Sequence, residues 1–202
     1  MVESAIIAIV AYLIGSINFS VILSRKMAGF DVREKGSGNA GTTNMLRSVG
    51  KKAAAITLVC DILKGVVAIL IAMLMNKIFK DSNGALLVQI AGVAVILGHT
   101  FPIFFKFKGG KGVATSLGVL IMSNWQIGLI CLVFALILII LTQMVSVGSI
   151  AAAILYPVLT LFIPQNYIIP GNYIIYSVIL AVIIVFNHRE NVKRLLNGTE
   201  NK

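Results

Sequence analysis

Long uninterrupted apolar runs, separated by short polar stretches, dominate the chain. Runs at about residues 4–24, 53–76, 84–105, 112–123, 125–143, 146–164 and 172–187 predict seven helices, since a membrane span takes roughly 20 apolar residues. The apolar residues are continuous rather than spaced as on a helix facing a soluble core. The fourth run is short: twelve residues make about 18 Å of helix against a hydrocarbon core of about 30 Å. It either tilts across against its neighbours or enters and leaves on one side. The expected fold is an all-α membrane protein, a polytopic bundle of seven transmembrane helices with the fourth short, in a single domain over residues 1–202.

Charge orients the bundle. Residues 25–52 carry Arg25, Lys26, Arg33, Lys35, Arg47, Lys51 and Lys52; 106–111 carry Lys106, Lys108 and Lys111; the tail carries Arg189, Lys193, Arg194 and Lys202. Segment 77–83 holds only Lys77 and Lys80, and 144–147 and 165–171 hold none. Seven crossings with the N-terminus outside put fourteen Lys and Arg in the cytoplasm against two outside, whereas six crossings give ten against six. The positive-inside rule favours seven, with a cytoplasmic C-terminus. In that topology Asn18, Asp61, His99 and His188 fall toward the cytoplasmic ends of their helices. Polar groups inside a membrane are costly and face a bundle interior or an aqueous cavity, which predicts a polar funnel opening to the cytoplasm.

Composition agrees: 58% hydrophobic and 12% charged, with mean hydropathy +0.98, lies outside the soluble range. The first run follows Glu3 rather than a basic segment, and no small-residue cleavage site follows it, so it is read as a retained helix. Cys60 and Cys131 sit in apolar runs without metal-binding spacing, as packing residues do. The net charge of +10 resides in short loops rather than in a basic domain, which points to a membrane face or small anions and away from nucleic acid.

The densest polar signal is Gly36-Ser37-Gly38-Asn39-Ala40-Gly41-Thr42-Thr43-Asn44, followed by Arg47. Its glycines allow close backbone approach and successive N–H groups that cradle an anion. Ser37, Thr42 and Thr43 add hydroxyls, Asn39 and Asn44 add amides, and Arg47 can grip a phosphate bidentately. The stretch also fits the dinucleotide pattern G-x-G-x-x-G, but the chain has no room for the βαβ unit that pattern needs. A plain membrane loop would have little use for this combination.

A second signal is His99-Thr-Phe-Pro102 with Phe105-Lys106-Phe107-Lys108-Gly109-Gly110-Lys111-Gly112. Lys111, between glycines at a helix start, resembles a phosphate cradle. Lys106 and Lys108 suit that role or simple topology anchoring equally. A third is Phe186-Asn187-His188-Arg189-Glu190-Asn191, where a helix continuing past the membrane would put His188 and Asn191 on one face. Asp61 and Lys64, three residues apart, read as a self-neutralising buried pair. The acids are scattered, which argues against a two-metal cluster; no G-x-S-x-G elbow is present. Phe104 and Lys193 stand where a His-x4-Asp acyltransferase motif would need Asp.

At these blocks, with Gly15-Ser16, Asp31-Val-Arg33, Asp61-Ile-Leu-Lys64-Gly65, Thr115, Arg194-Leu-Leu196 and Gly198-Thr-Glu200, the chain resembles the acyl-phosphate-dependent glycerol-3-phosphate acyltransferases of bacterial membranes, the PlsY family. Asn18 departs from the proline that members often carry there. The resemblance implies a multi-pass protein of the bacterial cell (inner or plasma) membrane with its active site facing the cytoplasm. The implied reaction moves a fatty acyl group from acyl phosphate to sn-glycerol 3-phosphate, giving 1-acyl-sn-glycerol 3-phosphate (lysophosphatidic acid) and inorganic phosphate. A separate enzyme would supply the acyl phosphate; no cofactor, metal or nucleic acid is expected. Ser37, Arg47, Lys111, His188 and Asn191 are the expected catalytic residues, with Lys111 and the Gly109–Gly112 backbone on the acyl phosphate and the other four on glycerol 3-phosphate. Gly36, Gly38, Asn39, Gly41, Thr42, Thr43, Asn44, His99, Gly109, Gly110, Gly112 and Thr115 are the expected substrate-binding residues. Two candidates stand for the base, His188 and the leaving phosphate. The competing reading is a membrane transporter of an organic phosphate, which would place its site near the midplane between repeats.

Overall fold

In the computed structural model, which describes residues 2–79, 83–163 and 171–201, all regular elements of the described residues are helical. Lys80, Lys202, Gln165 and most of the 165–171 stretch used in the charge pattern lie outside the described residues. The chain divides into two compact units, residues 1–119 and 120–202. The first contains α1 (Val2–Gly15), α2 (Phe19–Ala28), α3 (Thr42–Ser48), α4 (Lys51–Phe79), α5 (Gly84–Thr100) and the start of α6 (Val113–Ser123). The second contains the end of α6, then α7 (Trp125–Thr142), α8 (Val145–Phe162), α9 (Ile174–Asn187) and α10 (Arg189–Leu196). Among the described residues, five helical stretches are long and apolar enough to cross a membrane, or six if α9 and α10 count as one bent span. The eleven-residue α6 is shorter than these. Side chains such as Ile140, Leu141, Leu161 and Val182 are exposed, as lipid-facing side chains are in a multi-pass membrane protein.

The helix expected over 4–24 is two helices, broken at residues 16–18. Asn18 is the reason on the chain's own side: its Oδ1 accepts from Val21 N at 3.1 Å, so it caps α2 instead of continuing α1. The freed carbonyls are taken up from α4, whose Lys64 Nζ donates to Gly15 O and Ile17 O, each at 3.2 Å. A break inside a span persists only when its backbone groups are satisfied in this way. Lys64 also pairs with Asp61 at 2.8 Å, the pairing expected from their spacing.

Small residues set the helix packing. A Cβ on Gly15 would strike Val95 O and Gly98 Cα, and one on Gly98 would strike Tyr12 O, so α1 and α5 touch backbone to backbone. In the same way Gly65 of α4 lies against Thr115 O of α6, and Gly118 against Ile62 O. Lipid tails are as apolar as leucine, so close packing of this kind, rather than exclusion of water, holds membrane helices together.

The polar segment between α2 and α4 is folded rather than loose. Val21, Val32, Ala40, Met45, Ala53 and Ala54 form a buried cluster, with Leu23, Val49 and Phe105 packed on it.

In the second unit Asn124 caps α7 by accepting from Ile127 N at 3.2 Å. The expected continuation of the last helix through His188 does not occur: α9 ends at Asn187 and α10 leaves at 60°. The physical reason lies in the change of side chains. The apolar run stops at Phe186, and the charged α10 turns aside to a corner where Asn191 of α10 and Ser146 of α8 both donate to Glu200. His188 and Asn191 therefore occupy a corner, not one face of a single helix.

Candidate active site

Asn44 organises the first glycine loop. It is buried on α3, and its Nδ2 donates to Val32 O at 2.9 Å and to Lys35 O and Asn39 O at 3.0 Å. Its Oδ1 accepts from Ser37 N at 3.0 Å and Ser48 Oγ at 3.4 Å. The sequence groups Asn44 with substrate-binding residues; its amide is spent on holding the loop. Gly36 runs through φ 57 directly beneath it, where a Cβ would overlap Asn44 Oδ1, so both the left-handed turn and the clearance require glycine. The clamp leaves Gly36, Ser37 and Gly38 exposed, with Asn39, Gly41, Thr42 and Thr43 half-buried behind them. Arg47 is exposed on α3, one turn after Thr43.

The second loop returns from α5 and lies against the first. Gly109 N donates to Thr100 O at 3.0 Å and Gly110 N to His99 O at 3.1 Å, while Gly109 O accepts from Ala40 N at 3.4 Å. A Cβ on Gly110 would overlap both His99 Nε2 and Ala40 O. Lys111 and Gly112 follow, and α6 starts at Val113. Two segments some 70 residues apart are thereby joined at Ala40 and Gly109.

Arg33 locks the junction. Its Nε and Nη2 donate to the two oxygens of Asp31 at 2.9 and 2.7 Å, and Nη1 donates to Phe105 O at 2.8 Å and Lys108 O at 3.0 Å. Between these carbonyls Lys106 and Phe107 adopt left-handed φ of 58 and 56, uncommon for non-glycine residues. The hydrogen bonds of Arg33, with a further one from Arg25 to Asp31 at 2.9 Å, hold the Asp31 carboxyl at a pKa of about 2 despite its burial. The arginine guanidinium is raised in turn.

These bonds revise one expectation. The N–H groups of Ser37, Gly38, Gly109 and Gly110 all donate within the protein, so the glycine loops are less an open nest than the sequence suggests. The first turn of α6, directly after Lys111, has N–H groups without carbonyl partners in the helix, as every helix start does. Thr115 and His99 are buried: Thr115 faces Gly65, and His99 Nδ1 stands 3.5 Å from Asp61 Oδ1.

In the second unit His188 is buried at the α9–α10 corner, where its Nδ1–H donates to Ile184 O at 2.7 Å. That bond fixes the tautomer with the lone pair on Nε2. Asn191 is buried in the first turn of α10, and its Nδ2 donates to Glu200 Oε1 at 2.7 Å. Glu200 Oε1 also accepts from Ser146 Oγ at 3.0 Å, and Oε2 accepts from Arg194 Nε at 2.8 Å. Burial raises the Glu200 pKa, but these three hydrogen bonds outweigh it and the carboxyl is lowered. Sequence reasoning gave no role to Glu200, Asp31 or Arg33. All three stand in the segments that carry the family resemblance, Asp31-Val-Arg33 and Gly198-Thr-Glu200, which marked them without saying what they hold.

The chain matches the glycerol-3-phosphate acyltransferase family over residues 5–198. It is 46% identical to the glycerol-3-phosphate acyltransferase of Thermoanaerobacter pseudethanolicus over 195 residues, covering 96% of this chain and 93% of that one. The Clostridioides difficile enzyme of the same name is 42% identical, with 98% and 94% covered. Among solved structures, the glycerol 3-phosphate form of PlsY (YgiH), an integral membrane glycerol 3-phosphate acyltransferase, superposes with TM-score 0.87 at 38% identity, covering 98% of this chain and 94% of the other. Its lysophosphatidic acid form gives 0.84 at 36% identity, with the same coverage. On identity and coverage along nearly its whole length, the chain belongs to the PlsY family of integral membrane glycerol-3-phosphate acyltransferases.

Proposed function

We propose that the chain transfers a fatty acyl group from acyl phosphate to the 1-hydroxyl of sn-glycerol 3-phosphate, releasing inorganic phosphate and forming lysophosphatidic acid, the first step of phospholipid synthesis. The observation that carries this reading is the junction of the two glycine loops, where Ala40 N meets Gly109 O and Lys111 follows within two residues. Family membership and the substrate and product forms of the related PlsY structure support it.

In this reading Lys111, Gly112 and the first turn of α6 bind the acyl phosphate, because the N–H groups of Gly109 and Gly110 are already used. Ser37 and Arg47 bind glycerol 3-phosphate, and His188 and Asn191 serve the same substrate. The glycerol oxygen attacks the acyl carbon, the bond from that carbon to the phosphate oxygen breaks, and phosphate leaves with the electron pair. Donors fixed in advance stabilise the developing charge, and orientation supplies much of the remainder. The hydroxyl proton passes to His188 Nε2 or to the departing phosphate. His188→Gln separates the two: a loss of about 10²–10⁴ in kcat marks a general base, and an effect on KM alone excludes it.

The fold expected from the charge pattern, seven crossings with the N-terminus outside and the site facing the cytoplasm of a bacterial cell membrane, belongs to the same proposal. A separate enzyme would make the acyl phosphate. The test is phosphate release by purified, detergent-solubilised protein given palmitoyl phosphate and glycerol 3-phosphate in EDTA, with palmitoyl-CoA as comparator. Release that needs both substrates, yields lysophosphatidic acid and is lost in Arg47→Ala is expected. Folded protein without turnover would sink the reading.

A further inference from the structure

The Lys111 loop rests on a chain of buried polar groups that the reaction does not use. Gly110 packs directly on His99 Nε2, and no side chain at 110 could be accommodated without moving the imidazole or Ala40. On the other edge of the ring, His99 Nδ1 lies 3.5 Å from Asp61 Oδ1. That oxygen is 2.8 Å from Lys64 Nζ, which ends on Gly15 O and Ile17 O at the break in the first span. Asp61, Lys64 and His99 are all buried, so none of them reaches substrate from the surface.

A self-neutralising pair needs only Asp61 and Lys64. The third member changes its meaning, because His99 is where α5 ends and the chain turns back toward Lys111. The imidazole sits between a carboxylate 3.5 Å away and a glycine, and the His99 backbone carbonyl accepts from that same glycine. Removing the carboxylate takes away the ring's partner on that edge, and a ring that turns withdraws its contact from Gly110, one residue from Lys111. A displacement of about 1 Å at a binding group can cost up to roughly a hundredfold in rate.

We propose that Asp61 and His99, anchored through Lys64 to the broken first span, are positioning residues that set the place of Gly110 and thereby of Lys111. The proposal rests on the reading of Lys111 and its loop as the acyl phosphate site. Its signature is selective: a weaker hold on the donor phosphate with the hold on glycerol 3-phosphate retained.

The experiment measures KM for palmitoyl phosphate and for glycerol 3-phosphate separately, with melting of the detergent-solubilised protein recorded alongside. The variants are Asp61→Asn, His99→Gln and the charge-neutral double Asp61→Asn/Lys64→Met, which removes the pair without leaving an unpaired buried charge. A rise of roughly tenfold or more in KM for palmitoyl phosphate, with KM for glycerol 3-phosphate within about twofold of wild type, is expected. Lys111→Ala is the control on the underlying reading. If it raises the donor KM while the folded double variant and His99→Gln leave it unchanged, the brace is wrong and the donor site stands. If both KM values rise together in the brace variants, their role is merely structural and the proposal is overturned. If Lys111→Ala leaves the donor KM unchanged, the donor-site reading itself falls and the brace with it.

Discussion

Arg33 donates to both oxygens of Asp31 and to two carbonyls of the opposite loop, which engages four acceptors with one planar fork. Lysine keeps the charge but not the fork. Arg33→Lys is therefore expected to lose both carbonyl bonds, with a stability cost of about 1–3 kcal/mol and a fall in kcat/KM, read by melting and initial rates. Asp31 adds a pH dependence whose sign follows from its lowered pKa. Its contribution to stability is complete above the ordinary value of 3.8 and is lost as pH falls through about 2. Melting should weaken across that window in the wild type and flatten in Asp31→Asn; equal profiles would show that the pair holds nothing. Glu200 has the same sign. Glu200→Ala removes the acceptor shared by Ser146, Asn191 and Arg194, so Asn191 loses its anchor; kcat should fall roughly tenfold or more, by analogy with residues that orient metal ligands. At this scale the sequence was informative about residue type and silent about partner. Ser37, Lys111 and Asn191 stand out by chemistry alone, but the acceptors of Arg33 lie 72 and 75 residues away, and no local pattern reports such a distance.

Helices were legible wherever hydrophobicity decides them. The predicted runs at 53–76, 84–105 and 125–143 correspond to α4, α5 with the short turn after it, and α7. The breaks were not, because each depends on a polar atom arriving from elsewhere or on a change of direction: Lys64 at residues 15–17, and the corner at His188. The short α3 was missed for a different reason. Seven residues are too few to show a period, and what holds them is Asn44 and the cluster around Met45. Packing between elements makes its own prediction. Gly98→Ala puts a methyl group against Tyr12 O and should destabilise by about 1–3 kcal/mol through overpacking, while Leu141→Ala, at 75% exposure, should leave detergent melting nearly unchanged. A tolerated Gly98→Val would show that α1 and α5 do not need this approach.

For the molecule as a whole, the charge asymmetry between loops is the strongest guide to orientation. Fluorescent protein fused after Lys202 should light up when made in bacteria, and alkaline phosphatase at the same place should be inactive. The reverse pattern would put the tail outside, as six crossings do, and overturn the count of seven. The broken first span carries a consequence for how such a molecule comes into being. Residues 2–28 enter the bilayer with carbonyls at 15 and 17 that have no partner along their own helix, and α4 brings an ammonium whose partner on its own helix is Asp61, with two donors left for those carbonyls. Each segment is a poor guest by itself and completes the other. The unit of insertion is then expected to be the hairpin rather than the helix, with the first glycine loop carried between two spans that enter the membrane together.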